Sequence, residues 1–117
     1  VPSHCALMKP AAEQLSTDLD ALKWQSPEIT LVQNVSARPA PDLDSLRTQL
    51  VEQLYNPVRW VESITWMAEH GVTDLVECGP GRVLSGLNKR CVKGINTYNL
   101  DSADGFAAVR NVLTQGA

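Results

Sequence analysis

Apolar positions recur at helical spacing in five stretches of the chain. Met8, Ala12, Leu15, Leu19 and Leu22 follow one another at three and four residues and predict an amphipathic helix over residues 5–22. Pro10 falls in its first turns, where a missing N–H is tolerated, and Trp24 and Pro27 end it. Leu46, Leu50 and Leu54 predict a second helix with Asp42 as its N-cap. Asn56-Pro57 interrupts the pattern. A third helix is expected to open at Pro57, turn Val58, Val61, Ile64 and Met67 or Ala68 inward, and end at Gly71. A fourth spans residues 83–92, and a last one residues 101–113 with Asp101 or Ser102 as N-cap. Three short β-rich runs lie between the helices: Ile29–Val35, Thr73–Glu77 and Ile95–Leu100.

Alternation of helices and short apolar strands predicts the α/β class with a mainly parallel sheet covered by helices. Three strands make a thin sheet, and parallel strands need cover on both faces. The chain therefore reads as part of a larger unit. Its exposed apolar area should exceed the few hundred Å² of an ordinary monomer's largest patch, with His4 at the rim.

The composition narrows the classes. The 117 residues are 44% hydrophobic and 20% charged, which is globular. A net charge of −3 argues against nucleic acid as a partner. No apolar run has the length of a membrane span, and no signal peptide opens the chain. The chain starts on Val1-Pro2 without an initiator Met, which reads as a cut end. Cys5, Cys78 and Cys91 form no C-x-x-C pair and have no histidine at ligand spacing, so neither metal nor zinc site is expected and a reducing cytoplasm fits.

The chain has two histidines. His70, just before Gly71, is explained by the carbonyls and dipole of a helix end. His4, between Pro2 and the first helix, has no such explanation and can project into a cleft as a general base. A base needs a nucleophile, yet no serine stands in G-x-S-x-G, the turn that exposes one. Cys5 adjoins His4, but sequence neighbours point apart. Cys78-Gly79-Pro80-Gly81-Arg82 is read as a tight βα turn in preference to an anion cradle, because Pro80 removes a donor. Lys89, Arg90 and Lys93 either compensate a helix dipole or meet an acidic partner. Trp24, Trp60 and Trp66 are read as packing.

Taken together, VPSHCALMKPAAE at 1–13, VQNV at 32–35, VEQLYNPVRW at 51–60 and HGVTDLVECGPGRVLSGLNKR at 70–90 carry a family resemblance. The chain resembles the malonyl-CoA:acyl carrier protein transacylases of bacterial type II fatty acid synthesis. The resemblance implies an α/β-hydrolase-like acyltransferase domain with a small ferredoxin-like domain inserted, of which residues 1–117 would be the C-terminal segment of the large domain. The serine of G-H-S-x-G, the carboxylate-binding arginine, the oxyanion hole and the small domain would all lie outside this chain. His4 falls on the catalytic histidine. Gln53 falls on the glutamine whose backbone carbonyl orients it. Val1-Pro2-Ser3-His4 suits malonyl-specific enzymes. The implied reaction is ping-pong malonyl transfer from malonyl-CoA to the phosphopantetheine of an acyl carrier protein, in the cytoplasm and without a cofactor. The carrier would dock by way of Lys89, Arg90 and Lys93, and the isolated segment would be inactive. Two other readings stand beside it: a non-catalytic fragment that binds or complements another chain, and a small cysteine enzyme using Cys5 or Cys78.

Overall fold

The structure, a computed structural model, describes residues 2–115. The chain divides into two compact units, residues up to Ser63 and residues from Ile64 on.

In the first unit a single 3-10 turn, Ala6–Met8, precedes helix α1, Lys9–Asp20. The helix starts four residues later than its apolar periodicity suggests. Pro10 has no N–H to return to the carbonyl of Ala6, so the α-helical ladder cannot extend back through that turn and the stretch ahead tightens into 3-10 form, although Lys9 itself is α-helical. Ala12 is the buried residue of α1. At its C-terminus the Trp24 indole N–H donates to the Leu19 carbonyl at 2.9 Å, which is how Trp24 ends the helix.

Helix α2, Leu43–Glu52, packs against α1. Asp42 caps it, its carboxylate accepting the Ser45 N–H at 2.7 Å. Leu46 is buried, and Arg47 pairs with Asp20 while lying over the Trp24 ring. Leu54 lies beyond the helix end. There the Asn56 side chain donates to the Glu52 carbonyl at 2.9 Å, closing the last turn.

Ile29–Val35 is not a strand. Only an isolated antiparallel bridge joins Val32 to Pro39. Between them the chain folds back, with Gln33 N–H donating to Arg38 O at 3.0 Å and Ala37 N–H to Gln33 O at 2.9 Å. Ala37 takes a left-handed φ of 56°, and Pro39 cannot donate to a ladder, so the run cannot continue extended. Ile29 is 83% exposed rather than buried in a sheet. Helix α3, Trp60–Glu69, likewise begins after Pro57. The Arg59 N–H, which a helix starting at Pro57 would leave to its first turn, instead donates to the Asn34 carbonyl at 3.0 Å. Val61 is exposed, not inward, and Ile64 is the most fully buried large side chain.

In the second unit Gly71 ends α3 with φ 87°, Val72 N–H reaching Met67 O at 3.0 Å and Gly71 N–H reaching Ala68 O at 3.1 Å. Among the described residues the sheet has two strands, not three: β1, Asp74–Glu77, and β2, Asn96–Asn99, parallel with Leu75 opposite Thr97 and Val76 opposite Tyr98. Helix α4, Val83–Cys91, makes the crossover, and α5, Ala103–Gln115, packs on β2. Ser102 caps α5, its hydroxyl accepting the Gly105 N–H at 3.1 Å. β1 is less buried than expected, with Val76 exposed; Val83, Leu84, Leu87, Phe106 and Leu113 are exposed in the same unit. No helix of the described residues is long and apolar enough to cross a membrane.

Candidate active site

His4 stands on the loop before the 3-10 turn with φ 56°, a left-handed conformation uncommon outside glycine. Its Nδ1 lies 2.7 Å from the backbone carbonyl of Gln53, 49 positions along the chain. The structure therefore brings His4 and Gln53 together inside one unit.

This contact decides the chemistry of the ring. A carbonyl only accepts hydrogen bonds, so Nδ1 must carry the proton and donate it. In the neutral imidazole that leaves Nε2 as the bare, basic nitrogen. The arrangement has the logic of a catalytic triad with a backbone dipole in place of the carboxylate. Gln53 can serve because it is the residue following α2, where carbonyls have no intrahelical partner.

The Gln53 side chain is held as well. Its Oε1 accepts from Asn34 Nδ2 at 2.9 Å in a part-buried setting. One turn earlier on α2, Gln49 Oε1 accepts from Ser36 Oγ at 2.8 Å. Two glutamines thus tie the 33–38 loop to α2. Asn34 stands in the VQNV stretch but carried no assigned role from sequence; a lone asparagine has no signature of its own, and its partner is 19 residues away.

The other candidates lie elsewhere. His70 stacks on Trp66 with ring centroids 3.8 Å apart and sets its Nδ1 2.7 Å from the Trp66 carbonyl, at the end of its own helix. Cys78 is exposed, with its Sγ 3.8 Å from the Val76 carbonyl. Lys89, Arg90 and Lys93 are exposed at the end of α4. A groove of about 270 Å³ between α1 and α2, with Asp20, Arg47 and Tyr55 in its lining, includes neither His4 nor Gln53.

The turn after β1 also has an answer that sequence reasoning missed. Glu77, buried, accepts from Ser85 Oγ at 2.7 Å, Ser85 N–H at 2.8 Å and Leu84 N–H at 3.1 Å. The Ser85 hydroxyl first, then the Ser85 amide, hold its carboxyl below the usual glutamate range, against the opposing effect of burial. The α4 N-terminus is thus capped by the protein's own carboxylate, which takes up the Leu84 and Ser85 amides.

No family model matches the chain. It is 46% identical over 113 residues to the malonyl CoA-acyl carrier protein transacylase of Haemophilus influenzae, covering 97% of this chain and 36% of that relative. The Escherichia coli K12 protein of the same name is 45% identical over 108 residues, covering 92% and 35%. A crystal structure of malonyl-CoA:acyl carrier protein transacylase from Xanthomonas oryzae superposes with a TM-score of 0.89 at 43% identity, over 96% of this chain and 36% of that one. The chain is homologous to the C-terminal segment of malonyl CoA-acyl carrier protein transacylases. It spans about a third of the length of these curated relatives. Another transacylase structure, at 45% identity and a TM-score of 0.84, is a complex of a type II polyketide acyl carrier protein with its malonyl-transacylase. The α/β architecture of the chain agrees with these neighbours.

Proposed function

We propose that this chain supplies the general base, His4, of a malonyl-CoA:acyl carrier protein S-malonyltransferase, with Gln53 as the group that orients it. The observation that carries the reading is the 2.7 Å contact of His4 Nδ1 with the Gln53 carbonyl, which leaves Nε2 free to take a proton. In the first half-reaction Nε2 accepts the proton of a serine hydroxyl lying outside these 117 residues. The serine oxygen bonds to the malonyl carbonyl carbon, the thioester C–S bond breaks, and the CoA sulfur leaves with the proton from the imidazolium. In the second half-reaction Nε2 takes the proton of the carrier's pantetheine thiol. Sulfur attacks the malonyl-serine ester, and the serine oxygen recovers the proton as the C–O bond breaks. The chemistry asks for no cofactor beyond malonyl-CoA and carrier phosphopantetheine as substrates, and fits a cytoplasmic enzyme.

The exposed Lys89, Arg90 and Lys93 form a positive patch suited to an acidic carrier protein. The test of the main reading is His4→Ala in the full-length protein. Malonyl transfer should fall by about 10²–10⁴-fold. Near-normal transfer by this variant would remove His4 from the mechanism. The competing reading, a segment that only binds another chain, draws on the exposed Val83, Leu84 and Leu87; it predicts that the same substitution changes nothing.

A further inference from the structure

We propose that Asn34 is a positioning residue for His4, acting through the side chain of Gln53; the proposal rests on the reading of His4 as general base. Gln53 holds the histidine with its backbone carbonyl, just past the end of a helix, where a chain is free to fray. Nothing in the His4–Gln53 contact itself fixes the direction in which that carbonyl points. The Gln53 side chain does so, because its Oε1 is tied to Asn34 Nδ2 at 2.9 Å. Asn34 is in turn anchored through its carbonyl, which accepts the Arg59 N–H at 3.0 Å. The loop bearing Asn34 is secured a second time by Ser36 on Gln49. The line His4, Gln53, Asn34, Arg59 therefore runs from the ring to the start of α3 through hydrogen bonds alone. His4 needs such support: at φ 56° its own backbone is in a region that L residues leave readily, so the ring's placement depends on its partner.

A purely structural role for Asn34 would cost stability and leave the ring unchanged. A positioning role moves the ring. Loss of the Asn34 amide lets the Gln53 carbonyl turn, and His4 then loses its fixed donor at Nδ1 and samples both neutral tautomers. The experiment compares Asn34→Ala, Asn34→Asp and Gln53→Met in the full-length protein. The readouts are histidine ring ¹⁵N spectra, with His4 assigned by its absence in His4→Ala, and steady-state malonyl transfer. Asn34→Ala should move the His4 nitrogens from the Nδ1–H pattern toward a tautomer mixture. It should lower kcat by about 10- to 100-fold with little change in KM for malonyl-CoA. Gln53→Met keeps the backbone carbonyl but loses the side-chain acceptor, so it should reproduce the spectral change, and it carries the test if Asn34→Ala fails to fold. Asn34→Asp should restore most of the rate, because the Gln53 amide can rotate and donate to the carboxylate. Unchanged His4 nitrogens in both Asn34→Ala and Gln53→Met overturn the proposal whatever the rate does, as does a failure of Asn34→Asp to restore the ring. A tautomer shift with undiminished transfer leaves the tether standing and overturns instead the assignment of His4 as base.

Discussion

Alanine at Gly105 should destabilise the chain although it stands inside a helix. Gly105 is the third residue of α5, which lies on β2. A Cβ built there runs into the Asn99 backbone carbonyl and comes within 3.1 Å of the Asn99 Oδ1 and 3.2 Å of the Ser102 hydroxyl. Ordinary contact begins near 3.4 Å, so α5 would have to retreat from the end of β2 by about 1 Å. The nearest obstacle is backbone and cannot rotate away, and the next two close atoms are the Asn99 side-chain Oδ1 and the Ser102 hydroxyl that caps the Gly105 N–H. Overpacking costs about 1–3 kcal/mol, and a clash with backbone that cannot move aside falls in the upper part of that range, about 2–3 kcal/mol. Replacing glycine by alanine in a helix returns about 1 kcal/mol. The clash wins, for a net loss of about 1–2 kcal/mol. Gly86 in α4 is the control, because a Cβ there meets nothing within 4 Å. Gly86→Ala keeps the propensity gain without the clash and should stabilise by up to about 1 kcal/mol. Thermal and urea denaturation followed by far-UV circular dichroism on both variants would show Gly105→Ala melting roughly 5–10 °C below wild type and Gly86→Ala slightly above it. Equal or increased stability of Gly105→Ala would refute the close approach of α5 to β2.

Three further outcomes are expected. Glu77 binds a proton less readily folded than unfolded, so its contribution to stability is complete above the ordinary glutamate pKa and is lost as pH falls through the lower folded value. Glu77→Gln should lower stability at neutral pH and flatten the acid limb of a pH–stability curve. Asp42 and Asp74 are shifted the same way, by the Ser45 amide and the Thr73 hydroxyl respectively, and would leave a residual slope; a limb parallel to wild type removes Glu77 as its cause. Reversing Lys89, Arg90 and Lys93 to glutamate in the full-length enzyme should slow association with a carrier protein and weaken its salt dependence, without altering the half-reaction with malonyl-CoA; an unchanged association rate places docking elsewhere. His70→Ala, whose ring serves Trp66 and its own helix end, should leave malonyl transfer unchanged, in contrast to His4→Ala.

What sequence could and could not reveal follows from how far each interaction reaches. Asp42, Ser102 and Gly71 act within one helical turn, and each end was readable from residue type alone. Thr73–Glu77 and Ile95–Leu100 were recognisable because β-branched residues flank clear turn signals, and both contain the observed strands. Ile29–Val35 has the same composition, but Pro39 and the folded-back Gln33–Arg38 loop cancel its tendency to extend. The late start of α3 depends on a bond between Arg59 and Asn34, which no local pattern encodes. The candidate site divides the same way. His4 stood out by elimination and Gln53 by resemblance, whereas Asn34 became visible only when the loop and the end of α2 met. Glu77 was hidden because a carboxylate ending an apolar strand looks like the point where burial stops; the serine eight residues on makes it a buried cap.

The left-handed backbone at His4 sets protein durability and the imidazole against each other at a single position. An L side chain in that region costs roughly 1–2 kcal/mol relative to glycine. Judged on backbone sterics alone, glycine would be favoured at position 4, because it accepts φ 56° without a steric penalty. The ring survives only under a second demand that glycine cannot meet. Random mutagenesis screened for heat tolerance should enrich His4→Gly, while the same library screened for malonyl transfer should exclude it.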